Sequence, residues 1–160
     1  ASLGVERRRD MPYWSPDDGI YFAYPSGDVE VTKGSFSLKA ELTNQLMLES
    51  SFLYEENRHK GGLLEPFPYH PKEKAEASLR YIPVAGLDIE TNLSYVGKRF
   101  TLTGEELRSF FLTGVRGSKE VLSRLRVWGR LDNLFNSPYR IWEDYPMPGR
   151  SFTAGLGVKW

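Results

Sequence analysis

The sequence predicts an all-β protein: an antiparallel, up-and-down transmembrane β-barrel with about eight strands in this chain. Three observations carry the prediction. Apolar and polar residues alternate with period two, not 3.6. The connections alternate between tight turns and long loops. Aromatic residues collect near strand ends on the apolar faces, as interfacial girdles do.

The strands follow in chain order. One strand is expected near Ser2 to Met11. In Ser35 to Leu42, Phe36, Leu38, Ala40 and Leu42 oppose Ser35, Ser37, Lys39 and Glu41. Val29 and Val31 are out of phase with Phe36 and Leu38, so a bulge is expected at Lys33-Gly34. In Leu46 to Tyr54, Leu46, Leu48, Phe52 and Tyr54 oppose Met47, Glu49, Ser51 and Leu53. Ala75 to Tyr81 sets Ala75, Ala77, Leu79 and Tyr81 against Glu76, Ser78 and Arg80. Leu87 to Val96 is the clearest, with Leu87, Ile89, Thr91, Leu93 and Tyr95 against Asp88, Glu90, Asn92 and Ser94. Two acids and an Asn on one face predict a wet surface. A strand is expected near Leu107 to Arg116. Ser123 to Leu131 places Leu125, Val127 and Leu131 opposite Arg124, Arg126, Trp128 and Arg130. The last strand alternates from Phe152 to Trp160.

Residues 43–45, 83–86 and 117–120 read as tight turns, and 15–27, 57–71, 100–106 and 136–149 as longer loops. With eight strands, both termini fall on the short-turn side, which in outer-membrane barrels is periplasmic. Residues 1–160 read as a single unit with no repeat or linker.

Composition limits the function classes. Lys plus Arg number 21 and Asp plus Glu 21, which argues against a nucleic-acid partner. The absence of cysteine removes disulfides and thiolate metal sites. No run approaches roughly 18 apolar residues, so no transmembrane helix is expected. The start, "ASLGVERRRD", has no apolar signal-peptide core, which fits a mature product, a cytosolic protein or a fragment. In a soluble barrel the apolar faces would point inward. Charges on the opposite faces, among them Glu76, Arg80, Asp88, Glu90, Arg124, Arg126 and Arg130, instead suit a polar lumen. Trp14 has no lipocalin-type context. A chain ending on an amphipathic strand fits a strand that must pair, because hydrocarbon offers the backbone no other partner.

"RLDNLFNSPYRIWEDYPMPGRSFTAGLGVKW" (130–160) closely resembles the end of TonB-dependent outer-membrane receptors. The residues that carry the likeness are Asp132, Asn133, Leu134 and Phe135, then Tyr139, then Pro146, Met147, Pro148, Gly149 and Arg150, and the terminal aromatic Trp160, where the family more often has Phe. Residues 66–100 and 27–42 resemble the family more loosely. The resemblance implies a 22-stranded barrel with a plug, importing siderophores, cobalamin or similar ligands. It also implies that Phe152, Leu156, Val158 and Trp160 form the insertion signal read by the barrel assembly machinery. This chain has room for about eight strands, with no plug domain and no TonB-box segment. It is therefore either the last part of a receptor whose remainder lies on another polypeptide, or a self-contained small barrel with a structural or interaction role. A soluble ligand-binding barrel is the third reading.

Candidate sites are few. Arg124, Arg126 and Arg130, with Asp88 and Glu90, are the expected lumenal charges; they either pair with acids on neighbouring strands or make an anion-attracting lumen. His59 and His70 share one loop region with Glu55, Glu56 and Glu65, but a metal site needs three or four converging ligands, and solvated loop residues are the expectation. "LEPFPY" and "IWEDYP" place aromatics in outer loops. No catalytic arrangement or cofactor motif stands out, so neither an enzyme nor a cofactor is expected.

Overall fold

The computed structural model describes residues 2–8, 12–17, 20–25, 29–59 and 68–158. Every regular element among them is a strand. Eight form one antiparallel sheet: β1 (Ser2–Arg8), β4 (Val29–Thr43), β5 (Leu46–His59), β6 (Glu73–Tyr81), β7 (Leu87–Val96), β10 (Phe110–Leu122), β11 (Leu125–Asp132) and β14 (Ser151–Val158). They lie in the order β1-β4-β5-β6-β7-β10-β11-β14, so each large-sheet strand is flanked by those nearest to it in sequence. Three long connections carry two-stranded hairpins of their own: β2 (Pro12–Asp17) with β3 (Ile20–Pro25), β8 (Arg99–Phe100) with β9 (Glu106–Leu107), and β12 (Arg140–Trp142) with β13 (Tyr145–Pro146). Turns at residues 44–45, 84–86 and 123–124 mark one end of the sheet, and the hairpin-bearing loops mark the other.

The registers place like with like across the sheet. One face carries the row Phe36, Phe52, Ala75, Tyr95 and Phe111, and nearer the turns the row Ala40, Leu48, Leu79, Thr91, Val115, Leu131 and Phe152. The other face carries Lys39, Glu49, Ser78, Asn92 and Gly114, then Met47, Arg80, Glu90, Arg116, Arg130 and Thr153. The apolar face is bare: Phe36 is 51% exposed, Phe111 57%, Phe152 72% and Leu156 69%. Among the described residues, only Val29, Val31 and Leu107 are buried hydrophobics. Among the described residues the sheet thus has no apolar core of the soluble kind.

Two expectations are corrected. No bulge occurs at Lys33-Gly34; β4 pairs with β5 without interruption from Val29 to Glu41, and the shift lies between Glu41 and Thr43. Val29 and Val31 therefore share the face of Lys33 and Lys39, where they are buried. Residues 117–120 are strand, not turn: Gly117 pairs with Ile89 on one side and Gly129 on the other. Gly-Ser is a turn signal because of its conformational freedom, but Gly117 has no positive φ here. The turn moves to 123–124, which takes Arg124 off the strand. Three of the longer connections also carry the short hairpins β2–β3, β8–β9 and β12–β13. Strands β4 and β5, at 15 and 14 residues, exceed the ~9–11 that span a bilayer.

Candidate functional site

Two regions hold polar side chains in defined geometry: the turn-side half of the polar face, and the base of the loops.

On the polar face, Arg80 of β6 meets Asp88 of β7 through two nitrogens, with Nε at 3.0 and 3.1 Å from the two carboxylate oxygens. Such a fork-to-fork pair fixes both planes. Arg126 of β11 donates from Nε and Nη2 to Ser118 Oγ at 3.1 and 2.7 Å. Its Nη2 also stands 3.9 Å from Asp88. Arg130 donates to Asp132 Oδ1 at 2.7 Å, two residues along its own strand and on the same face. Lys39 and Glu49 pair directly across β4 and β5 at 2.6 Å. Glu90 stands opposite Arg80 on one side and Arg116 on the other. Of the expected lumenal charges, Arg126, Arg130, Asp88 and Glu90 share one strand face, and Arg124 sits in the 123–124 turn. Sequence reasoning did not single out Ser118, because the 117–120 turn assignment ended the strand before it; Arg116, at the end of the strand expected near Leu107 to Arg116, was given no role.

At the loop side, the "DNLFN" stretch folds as a clamp. Asn133 is buried with φ of 49°, a left-handed value that Asn tolerates better than most residues. Its Oδ1 accepts from Ser137 N at 2.9 Å, and its Nδ2 donates to the carbonyl oxygens of Ser137 at 2.9 Å and Pro148 at 3.5 Å. Leu134 N donates to Thr113 O at 2.8 Å, tying the segment back to β10. Asn136, with φ of 53°, accepts from Arg150 N at 2.8 Å through Oδ1. A Cβ on Gly149 would lie 2.5 Å from that Oδ1, so the position admits only glycine without rearrangement. Phe135 projects outward, 72% exposed. The expected motif residues Asp132, Asn133, Leu134, Pro148, Gly149 and Arg150 thus meet at the base of one loop.

Beside the clamp, Arg99 is buried to 3% exposure. Its Nη2 donates to Arg140 O at 2.8 Å and more weakly to Arg108 O at 3.4 Å, and its guanidinium lies 4.8 Å from the Phe110 ring centroid. Phe110 in turn meets Tyr139 at 4.8 Å. Burial lowers the Arg99 pKa from its ordinary value. Tyr69 packs on Trp142 at 4.8 Å between ring centroids, so the loops before β6, after β7 and after β11 form one assembly.

The histidine region behaves as an ion-pair site. His70 Nε2 is 2.9 Å from Glu55 Oε1, Lys33 is 3.3 Å from the same carboxylate, and Lys72 is 2.7 Å from Glu56. Among the described residues, no three metal-ligating side chains converge. Glu65 and Trp160 lie outside the described residues, as does the side chain of His59. Phe152, Leu156 and Val158 line the apolar face of β14, opposite Leu131, Val127 and Leu125.

No family model matches the chain, and no curated protein matches it. Solved structures do. The ferric-catecholate import receptor Fiu from E. coli K12, in its closed form, superposes with a TM-score of 0.77 at 16% identity over 98% of this chain and 24% of that one. The copper transporter OprC gives 0.78 at 16% identity, over 96% of this chain and 27% of that one. The siderophore receptor PiuA from Acinetobacter baumannii gives 0.77 at 14% identity, over 99% and 25%. This chain spans about a quarter of the length of the receptors it matches. Its fold is that of the C-terminal barrel segment of TonB-dependent receptors.

Proposed function

We propose that the chain forms the C-terminal wall of an outer-membrane receptor barrel for uptake of a scarce nutrient such as a siderophore or cobalamin. The observation that carries this reading is the two-faced sheet: bare aromatic and aliphatic rows on one side, paired charges on the other, with tight turns at one end and structured loops at the other. Water does not favour that apolar face, whereas a bilayer does. The receptor fold supports the same reading.

In this reading the apolar rows contact outer-membrane lipid, the turns and both termini are periplasmic, and the loop assembly faces outward. The neighbours' names point to metal-chelate and metal cargo, with loop aromatics such as Trp142 and Tyr145 as contact candidates. The remaining strands and a plug come from sequence beyond these residues or from a second polypeptide. The soluble reading places the apolar face inside; here that face is uncovered.

The experiment is detergent dependence. A chain that purifies monodisperse in plain buffer refutes the membrane reading. Particle mass then separates a wide barrel from closure of one chain. The assembly signal of Phe152, Leu156, Val158 and Trp160 is tested by Trp160→Ala. Slower assembly into outer membranes is expected, and an unchanged yield of heat-modifiable barrel counts against it.

A further inference from the structure

The turn-side half of the polar face gathers three guanidiniums around one hollow. Arg80, Asp88, Glu90, Arg116, Ser118 and Arg126 line a depression of about 290 Å³. Asp88 is committed to Arg80 by the two-pronged contact. Arg126 forks onto the neutral Ser118 hydroxyl, with Asp88 3.9 Å from its Nη2 and Glu120 directly opposite it across β10 and β11. Ser118 is itself only 8% exposed, so this support is built into the wall. Arg116 stands directly opposite Arg130 across β10 and β11. Like charges at facing positions destabilise a strand pair unless something compensates them. Arg130 turns to Asp132. Arg116 makes no hydrogen bond or ion pair among the described residues, and its other facing residue, Glu90, is shared with Arg80.

We propose that this depression is an oxyanion-binding site, in which Arg116 and Arg126 grip a phosphate or carboxylate group and the Arg80–Asp88 pair forms its floor. Two guanidiniums converging on one hollow suit the planar, multidentate recognition of such groups. The lumen of a barrel, walled by low-dielectric material, strengthens attraction of this kind. The anion reaches the site either free in solution or as an acidic side chain of a polypeptide packed against the wall; the recognised group is the same.

The site rests on the reading of this face as lumenal, and the two fail differently. Equilibrium dialysis of the full chain, folded in zwitterionic detergent, against radiolabelled inorganic phosphate tests the site. One saturable equivalent is expected, weakened at least tenfold in Arg116→Gln and Arg126→Gln. Lys119→Gln removes a cation from the opposite face, between Leu87 and Val127, and leaves binding unchanged. Ser118→Ala keeps every charge but releases the Arg126 fork, and an intermediate loss is expected. A second dialysis, with phosphate displaced by a Glu-rich peptide, distinguishes the sources: displacement shows that a polypeptide carboxylate fits, and its absence restricts the site to free anions. Folded, detergent-bound chain that takes up no saturable phosphate overturns the site and leaves the barrel standing. Equal loss in Lys119→Gln also overturns it, because the uptake then follows overall charge.

Discussion

Asn133→Ala is expected to be the most damaging single change at the base of the last loop. Two effects add. The side chain satisfies Ser137 N and Ser137 O at 2.9 Å each, and reaches Pro148 O at 3.5 Å, from a position only 6% exposed. Two sound hydrogen bonds contribute about 1 kcal/mol each, and the orphaned Ser137 N–H retains its desolvation cost. The backbone sits at φ 49°, where an alanine costs roughly 1–2 kcal/mol. Together the loss is about 3–4 kcal/mol. Asn133→Gly separates the terms, because glycine adopts that φ freely and loses only the bonds, for about 2 kcal/mol. Urea unfolding of the barrel in detergent micelles, read by heat modifiability on gels, measures both. An alanine variant within about 0.5 kcal/mol of the parent refutes the clamp. A glycine variant as damaging as alanine removes the backbone component.

Three further changes test other features. Gly149→Ala puts a methyl 2.5 Å from Asn136 Oδ1 and breaks the Arg150 contact, so increased protease cleavage between 137 and 148 is expected. Gly155→Ala places a Cβ 2.6 Å from the Trp128 ring, whereas Gly117→Ala meets open space; only the first is expected to lower the unfolding midpoint and shift Trp128 emission. Leu156→Arg puts a charge on the apolar face of β14 and is expected to cost ~2–4 kcal/mol of barrel stability, while Ser151→Arg on the opposite face, where it meets Asp132, is tolerated. Equal tolerance at both positions, measured by refolding into lipid vesicles, argues against the assignment of faces.

The sheet was legible where alternation was strict. Leu87 to Val96 shows both faces in one reading, and the observed strand has those bounds. Legibility failed where a residue's local habit opposed its tertiary surroundings. Gly117-Ser118 looks like a turn, but Gly117 faces Gly129, and Ser118 is buried to receive Arg126. Val29 and Val31 looked misphased because apolar side chains were assigned to one face throughout; at the loop end of β4 that rule lapses, and the valines are buried on the polar side. The small hairpins β8–β9 and β12–β13 are too short for periodicity to reveal. The Arg99 site is non-local: its acceptors and its ring partner lie 9, 41 and 11 residues away, the last from Arg99 to Phe110, and no spacing in the sequence announces them.

The terminal motif is where sequence signature and mechanics meet. Its residues resemble a family pattern, but the structure gives each a mechanical reason. Asp132 closes β11 opposite Ser151, the first residue of β14. Between them the chain leaves the sheet for the β12–β13 hairpin and must return in register, since a slip of one residue would turn Phe152, Leu156 and Val158 inward and the glycines of β14 outward. Two asparagines with positive φ make the departure, and their side chains hold the return through Pro148 O and Arg150 N. Gly149 leaves room for the second of these contacts. Register is then locked on the polar side, where Trp128 fills the space above Gly155. The closing strand is thus aimed before it pairs. The placement of the aromatic and aliphatic residues of β14 follows from that aim, which is why damage at Asn133 is expected to reach the apolar side of a strand it does not touch.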